Sequence, residues 1–343
     1  MMQEILPSML VARPRFGRAT VWAESPLQLL SAVEAHGAGL LGNETVIHSR
    51  SDAVGMDATL AELLSQVPEG ISFADPGSSV PPLRVPGLDR WVIGDAYSGM
   101  AQAELLRGAA DKEIVIVDDG LATLKLLATL AKDTPAPLVR PRAAASSVRK
   151  ALGLAVWFLL RRLARQNRLL VVTALPVPLD LEQRFRAVGG QLERHRFEWL
   201  GTQPVTEEIN EPTVVVGSAM AADGLIREEP YLAWVESLTE DGPVGYFPHR
   251  RETPASLAKL DRHPLIRVNR HTIPVEMRLR GLRAGQVVRA LPSTVLASLR
   301  LILGPNGVPL KGHAVPDNWW LPQASDSLRR HLSSSLDDGG SPA

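Results

Sequence analysis

Four groups of residues carry side chains suited to chemistry, and each stands where an apolar run stops. Asp118-Asp119-Gly120 follows Ile114–Val117. Neighbouring carboxylates resist double ionisation, which leaves one of them able to act as a general base toward a hydroxyl. The same residues also describe an Asp-Gly turn capping a helix over Leu121–Lys132. Pro248-His249-Arg250-Arg251-Glu252 follows Tyr246-Phe247. An imidazole beside guanidinium groups can bind a phosphate or protonate it as it leaves, and the alternative is a surface loop in which Glu252 pairs with an arginine. Ser293-Thr294, after Leu291-Pro292, puts two hydroxyls at the start of a helix, where they cap it or join its free amides in holding a phosphate. Gly217-Ser218 ends a fourth run, and its glycine either allows a ligand close to the backbone or simply makes the turn.

The runs that deliver these groups alternate with helical patterns. Strands are expected over Ala19–Ala23, Glu44–His48, Arg90–Ile93, Glu113–Val117 and Leu169–Thr173, with helices over Pro26–His36, Met56–Leu64 and Met100–Arg107 between them. Further strands are expected over Thr213–Val216, Val244–Phe247, Val287–Leu291 and Leu301–Leu303, with a helix over Pro230–Leu238. Alternation of this kind predicts parallel α/β sheets, whose ligands lie outside the carboxyl ends of the strands. At 343 residues the chain exceeds what one core usually serves, so two domains are expected. The proline- and glutamate-rich stretch 202–212 is the expected linker. It separates a first Rossmann-type domain, 1–201, from a second, 213–324, and a polar tail follows over 325–343.

Composition narrows the function classes. The 37 basic and 37 acidic residues cancel, so no overall field recruits nucleic acid. The absence of cysteine excludes disulfides, thiolate metal sites and a cysteine nucleophile. Met1–Leu10 has no basic start and no long apolar run, so no secretory signal is expected. The apolar run Ala151–Leu160 is half of the ~20 residues a bilayer span needs, and arginines flank it. The stretch 140–168 therefore reads either as a helix on an anionic membrane surface or as a domain helix with a solvated basic face. The expected location is the cytoplasm, with peripheral contact at the inner face of the membrane through that stretch.

Taken in order, Asp118-Asp119-Gly120, Pro248-His249 and Ser293-Thr294 resemble the three motifs of the bacterial GT-B-type sialyltransferases, the lipooligosaccharide sialyltransferase and polysialyltransferase families: two acids with Gly, His-Pro, and a Ser-Ser or Ser-Thr pair. Glu24-Ser25-Pro26-Leu27 is similar to the first strand-to-helix turn of these families, and Asp223-Gly224-Leu225-Ile226 to their interdomain segment. The resemblance covers roughly Val21 to Ser298. Arg250 stands where the families carry the proline after histidine, and a literal His263-Pro264 lies nearby. His249 is preferred because it follows an apolar strand and keeps Arg251-Glu252 beside it.

The resemblance implies a GT-B-like fold, two Rossmann-type domains facing a central cleft, and an inverting transfer of a sugar acid from a CMP-sugar to a glycan or glycolipid hydroxyl. In that scheme Asp119 is the base and Asp118 orients or tunes it. His249, Ser293, Thr294 and Arg251 face the donor phosphate, and Gly217-Ser218 contacts the nucleotide. No cofactor and no metal are expected. A transferase for CMP-Kdo or a UDP-hexose on the same fold, and a non-catalytic two-domain binding or assembly protein, are the alternatives.

Overall fold

β-branched and aliphatic runs become buried parallel strands, and the helices between them return the chain to the same edge of each sheet. The computed structural model describes residues 17–118, 120–140, 146–205, 207–270, 272–326 and 329. The first sheet contains Arg18–Ala23 (β1), Glu44–Ser49 (β2), Ile71–Phe73 (β3), Arg90–Ile93 (β4), Glu113–Ile116 (β5), Leu169–Thr173 (β6) and Gln191–Arg194 (β7). Its helices are Pro26–Gly37 (α1), Met56–Leu64 (α2), Gly99–Gly108 (α3), Leu121–Leu130 (α4), Ser147–Arg165 (α5), Leu179–Ala187 (α6) and Glu198–Thr202 (α7). The second sheet contains Thr213–Val216 (β8), Val244–Phe247 (β9), Ile266–Val268 (β10), Val287–Ala290 (β11) and Leu310–Gly312 (β12). Ala219–Ala222 (α8), Glu228–Ser237 (α9), Pro254–Leu260 (α10), Val275–Leu279 (α11) and Val295–Leu303 (α12) accompany it.

Both sheets are parallel, in the orders β3-β2-β1-β4-β5-β6-β7 and β10-β9-β8-β11-β12. Each order reverses direction once, between β1 and β4 in the first sheet and between β8 and β11 in the second. At such a switch point the loops leave in opposite directions and open a crevice. The expected α/β architecture of two Rossmann-type domains is what the chain adopts.

Strand alternation divides the first domain into two cores. Trp91, Ile93, Ile114 and Ile116 point to the face covered by α3, α4, α5 and α6, whereas Val92, Val115 and Val117 point to the face of α1 and α2. The second of these cores is completed from outside its own domain. Met277 of α11 is buried in it, and Ile273, Leu301 and Ile302 pack against it. Nearby, Arg280 lies 3.6 Å from Glu62, and a Cβ on Gly55 would come within 2.0 Å of the Thr272 carbonyl oxygen. The two domains therefore share packed surface beside their cleft.

Two expectations change, those for Leu301–Leu303 and for the start of the helix at Pro230. Leu301–Leu303 is the last turn of α12, because its residues continue the 3.6-residue period of Leu296 and Leu299. The polar stretch after Pro178 folds as α6, β7 and α7. The helix expected from Pro230 begins at Glu228, since proline in a first turn forfeits no hydrogen bond. On α5, Val156, Trp157, Leu160 and Leu163 sit in the core, and they are not free to face a bilayer. Several of the surrounding basic groups also have internal partners: Arg140 binds Asp95, Arg149 binds Gln102 and the Tyr97 carbonyl, and Arg161 donates to the Leu130 carbonyl. Residues 141–145 lie outside the described residues, as do residues 1–16 and most of the expected tail. Among the described residues no helix is long and apolar enough to cross a membrane.

Met277→Ala should lower the free energy of unfolding by about 2–5 kcal/mol, measured by urea denaturation, because the methionine is a buried knob in the other domain's core. A loss below about 1 kcal/mol would mean that the core closes without it.

Candidate functional site

At the end of β5 the backbone turns sharply into α4. Asp118 is buried, and its carboxylate holds that turn together with four donors. Thr123 Oγ1 and the Gly120 amide donate to Oδ1 at 2.8 and 3.0 Å, while Thr173 Oγ1 and the Ala174 amide donate to Oδ2 at 2.8 and 3.2 Å. Burial pushes its pKa up, and these donors pull it back. With both oxygens engaged inward, Asp118 is suited to orienting the loop rather than to meeting a substrate. Gly120 has φ of +71° and ψ of −138°, a conformation that glycine tolerates and side chains resist. Asp119, the expected base, lies outside the described residues.

Across the cleft, the loops after β8, β9 and β11 leave neighbouring strands side by side. His249 is half-buried at the carboxyl end of β9, and its Nδ1 accepts the Arg251 amide at 3.2 Å. This bond places the proton of the neutral ring on Nε2, which is then a donor. Burial, followed by Arg251 and Arg250, lowers the His249 pKa to about 4, with Asp223 opposing. His263 follows α10 and precedes β10, at the amino edge of the same sheet, so the two candidate histidines lie at opposite edges.

The His249 loop rests on a polar network that the sequence did not suggest. Glu252 turns inward, accepting Tyr246 Oη at 2.6 Å and the His249 amide at 2.9 Å, and Tyr246 Oη meets Tyr231 Oη at 2.7 Å. Burial raises the Glu252 carboxyl to about 7. The alternative pairing of Glu252 with an arginine is thus replaced by a tyrosine partner. Arg251 instead donates to Asp223 at 2.6 Å, and any contact with phosphate competes with that ion pair. Gly217 packs directly on this loop: a Cβ there would lie 2.2 Å from Glu252 Oε1 and 2.7 Å from the His249 nitrogen. The glycine is required by this close approach. Ser218 caps α8, accepting the Met220 amide at 3.2 Å.

Ser293 and Thr294 stand half-buried at the amino end of α12. Ser293 Oγ accepts the Val295 amide at 3.4 Å, whereas the Thr294 hydroxyl makes no cap. A Cβ built on Gly120 would sit 3.4 Å from Thr294 Oγ1. The acid turn and the hydroxyl pair, far apart in sequence, therefore face each other between the domains. A second acid was missed altogether. Glu276 on α11 is buried and accepts Ser298 Oγ at 2.7 Å, and its carboxyl is raised by burial and further by Asp118. Its apolar neighbours in sequence gave no sign of it.

These loops converge at the edge where a parallel sheet binds ligands, with Gly217-Ser218 and Ser293-Thr294 flanking the switch point of the second sheet. The arrangement supplies neutral and helix-terminal donors on one wall and a carboxyl-bearing turn on the other. It suits an anionic leaving group opposite an attacking hydroxyl.

No protein-family model matches the chain, and no curated protein matches it in sequence. Among solved structures, a Photobacterium 2,6-sialyltransferase in a ternary complex with CMP and lactose is similar with a TM-score of 0.50 at 12% identity, over 94% of this chain and 76% of that one. A putative UDP-N-acetylglucosamine 2-epimerase from Listeria monocytogenes gives 0.48 at 15% identity, over 95% and 89%. A UDP-glucose:anthocyanidin 3-O-glucosyltransferase in complex with UDP gives 0.45 at 11%, over 96% of each chain. The likeness to the sialyltransferase is one of fold, and the chain has a GT-B-like architecture.

Filling the site with a phosphomonoester should raise the His249 pKa from about 4. The expected rise is about 1 to 3, because a nearby dianion favours the imidazolium. By linkage, binding strengthens as the pH falls from neutrality toward 5. Imidazole NMR titration with and without CMP measures this, and a pKa unmoved by bound CMP would take His249 out of the phosphate site.

Proposed function

We propose that this chain is an inverting glycosyltransferase that moves sialic acid, or a related sugar acid, from a CMP-sugar to a hydroxyl of a cell-surface glycan. The observation that carries the reading is the approach of the Gly120 turn to Thr294 across the cleft, with His249 at the same edge of the second sheet, two strands over from the strand that leads to Thr294. Those are the three motifs on which the sequence resembles the sialyltransferases. A similar fold in an enzyme crystallised with CMP and lactose supports the same reading.

The chemistry then assigns work to each wall. Asp119 accepts the proton of the acceptor hydroxyl while its oxygen bonds to the anomeric carbon, and the bond from that carbon to the CMP phosphate oxygen breaks. Attack from the face opposite the leaving group inverts the centre. Charge grows on the departing phosphate, where His249 Nε2–H, the Ser293 and Thr294 hydroxyls and the first amides of α12 stabilise it. Asp118 keeps the base turn in place through Thr123, Thr173 and two amides. CMP departs as a monophosphate, so no diphosphate needs a bridging cation, and turnover in excess EDTA is expected.

Release of CMP from CMP-sialic acid, stimulated by a galactose-terminated acceptor, tests the reading. Asp119→Ala should lower the rate by about 10²- to 10⁴-fold and His249→Ala by about 10²- to 10³-fold. Turnover of a UDP-sugar with no CMP-sugar activity would replace this donor, and unchanged rates in both variants would remove these residues from the mechanism.

A further inference from the structure

Beside the site just described, a cavity of about 250 Å³ opens between the two domains, lined by the chain after β6 from Ala174 on, by Arg194, His195 and Arg196 at the end of β7, and by one face of α12 that includes Arg300. It adjoins the acid turn directly. The Ala174 amide donates to Asp118, and α12, which presents Thr294 to the cleft, presents Ala297, Arg300 and Leu301 to the cavity at the i, i+3, i+4 spacing of one helix face.

The wall is positively charged. Arg194 donates to Glu182 at 2.7 Å, but that carboxylate is shared with Arg186 at 3.0 Å. Neither Arg196 nor Arg300 forms a side-chain ion pair among the described residues. Among the described residues no acidic side chain lines the cavity. His195 adds a second kind of observation. It is buried, both ring nitrogens are closed off from solvent, and among the described residues neither has a hydrogen-bond partner. Buried polar atoms are nearly always paired, and His36, also buried, has Thr45 Oγ1 on one nitrogen and the Glu69 carbonyl on the other. The His195 ring is locked edge-on against Phe197 at 4.7 Å, and Phe197 itself holds a left-handed φ of +59°.

We propose that this cavity is an acceptor subsite for an acidic sugar, whose carboxylate or phosphate Arg196 and Arg300 take. One wall belongs to each domain, so an occupant bridges them next to the acid turn. The acceptor role rests on the transferase reading above, whereas the affinity for acidic sugars stands without it.

Binding of glucuronate, glucose 6-phosphate and glucose to the full chain, by calorimetry or ligand-observed NMR, tests the proposal, with CMP binding as a separate arm. The two acidic sugars should bind and glucose should not. Arg196→Gln and Arg300→Gln should each weaken binding by about tenfold or more, as expected when a charge-assisted hydrogen bond is lost, and Arg300→Lys should retain most of it. CMP binding should be unchanged in all three variants. Preference for glucuronate or for glucose 6-phosphate identifies the acidic group. Equal binding of glucose, or variants that bind both acidic sugars like the wild type, would overturn the subsite. Acidic sugars lost in Arg300→Gln, in a chain that never binds CMP, would retain the subsite and overturn the donor reading.

Discussion

The Asp118 carboxylate is the interaction on which the site depends. Leaving a carboxylate in an apolar interior without partners costs several kcal/mol, and each hydrogen bond to it returns about 1.5–3 kcal/mol, so four donors make the buried acid tenable. Those donors come from the turn itself, from α4 and from the end of β6. One side chain therefore fixes the conformation of Gly120, ties two strands together at their carboxyl ends and sets the surface that Thr294 faces. Removing it would leave two threonine hydroxyls and two amides without an acceptor.

The second domain solves a similar problem with a half-buried acid turned inward. Glu252 supports the His249 loop from beneath through Tyr246 and the His249 amide, and Gly217 gives the loop the room it occupies. In both domains an inward carboxyl is satisfied by the structure and holds a strand-end loop in place.

The central strands and their end loops were legible because β-branched runs ending in Gly, Pro or Asp state both a strand and its carboxyl edge. Gly217-Ser218, His249 and Ser293-Thr294 lie where those runs predicted. Three-residue strands such as Ile71–Phe73 and Leu310–Gly312 were not legible, since so few residues show no period. Nor was the direction of Glu252, which two tyrosines brought by tertiary packing decide. The basic stretch around α5 left two readings open because composition cannot say which arginines a neighbouring carbonyl has already engaged. His195 and Arg300 meet only after both domains are built, and no local spacing connects them.

The way α11 and α12 complete the first domain bears on how the chain emerges from a ribosome. The last strand of the first sheet ends at Arg194, yet Met277, Leu301 and Ile302 belong to the core that its α1 face covers. A nascent first domain must wait with that apolar surface uncovered until more than a hundred further residues have been added. At about 5–20 residues per second the interval is roughly 5–20 s. During it the unfinished domain is a natural client for a holdase chaperone, and slow codons placed between the two sheets would lengthen its exposure rather than help it fold.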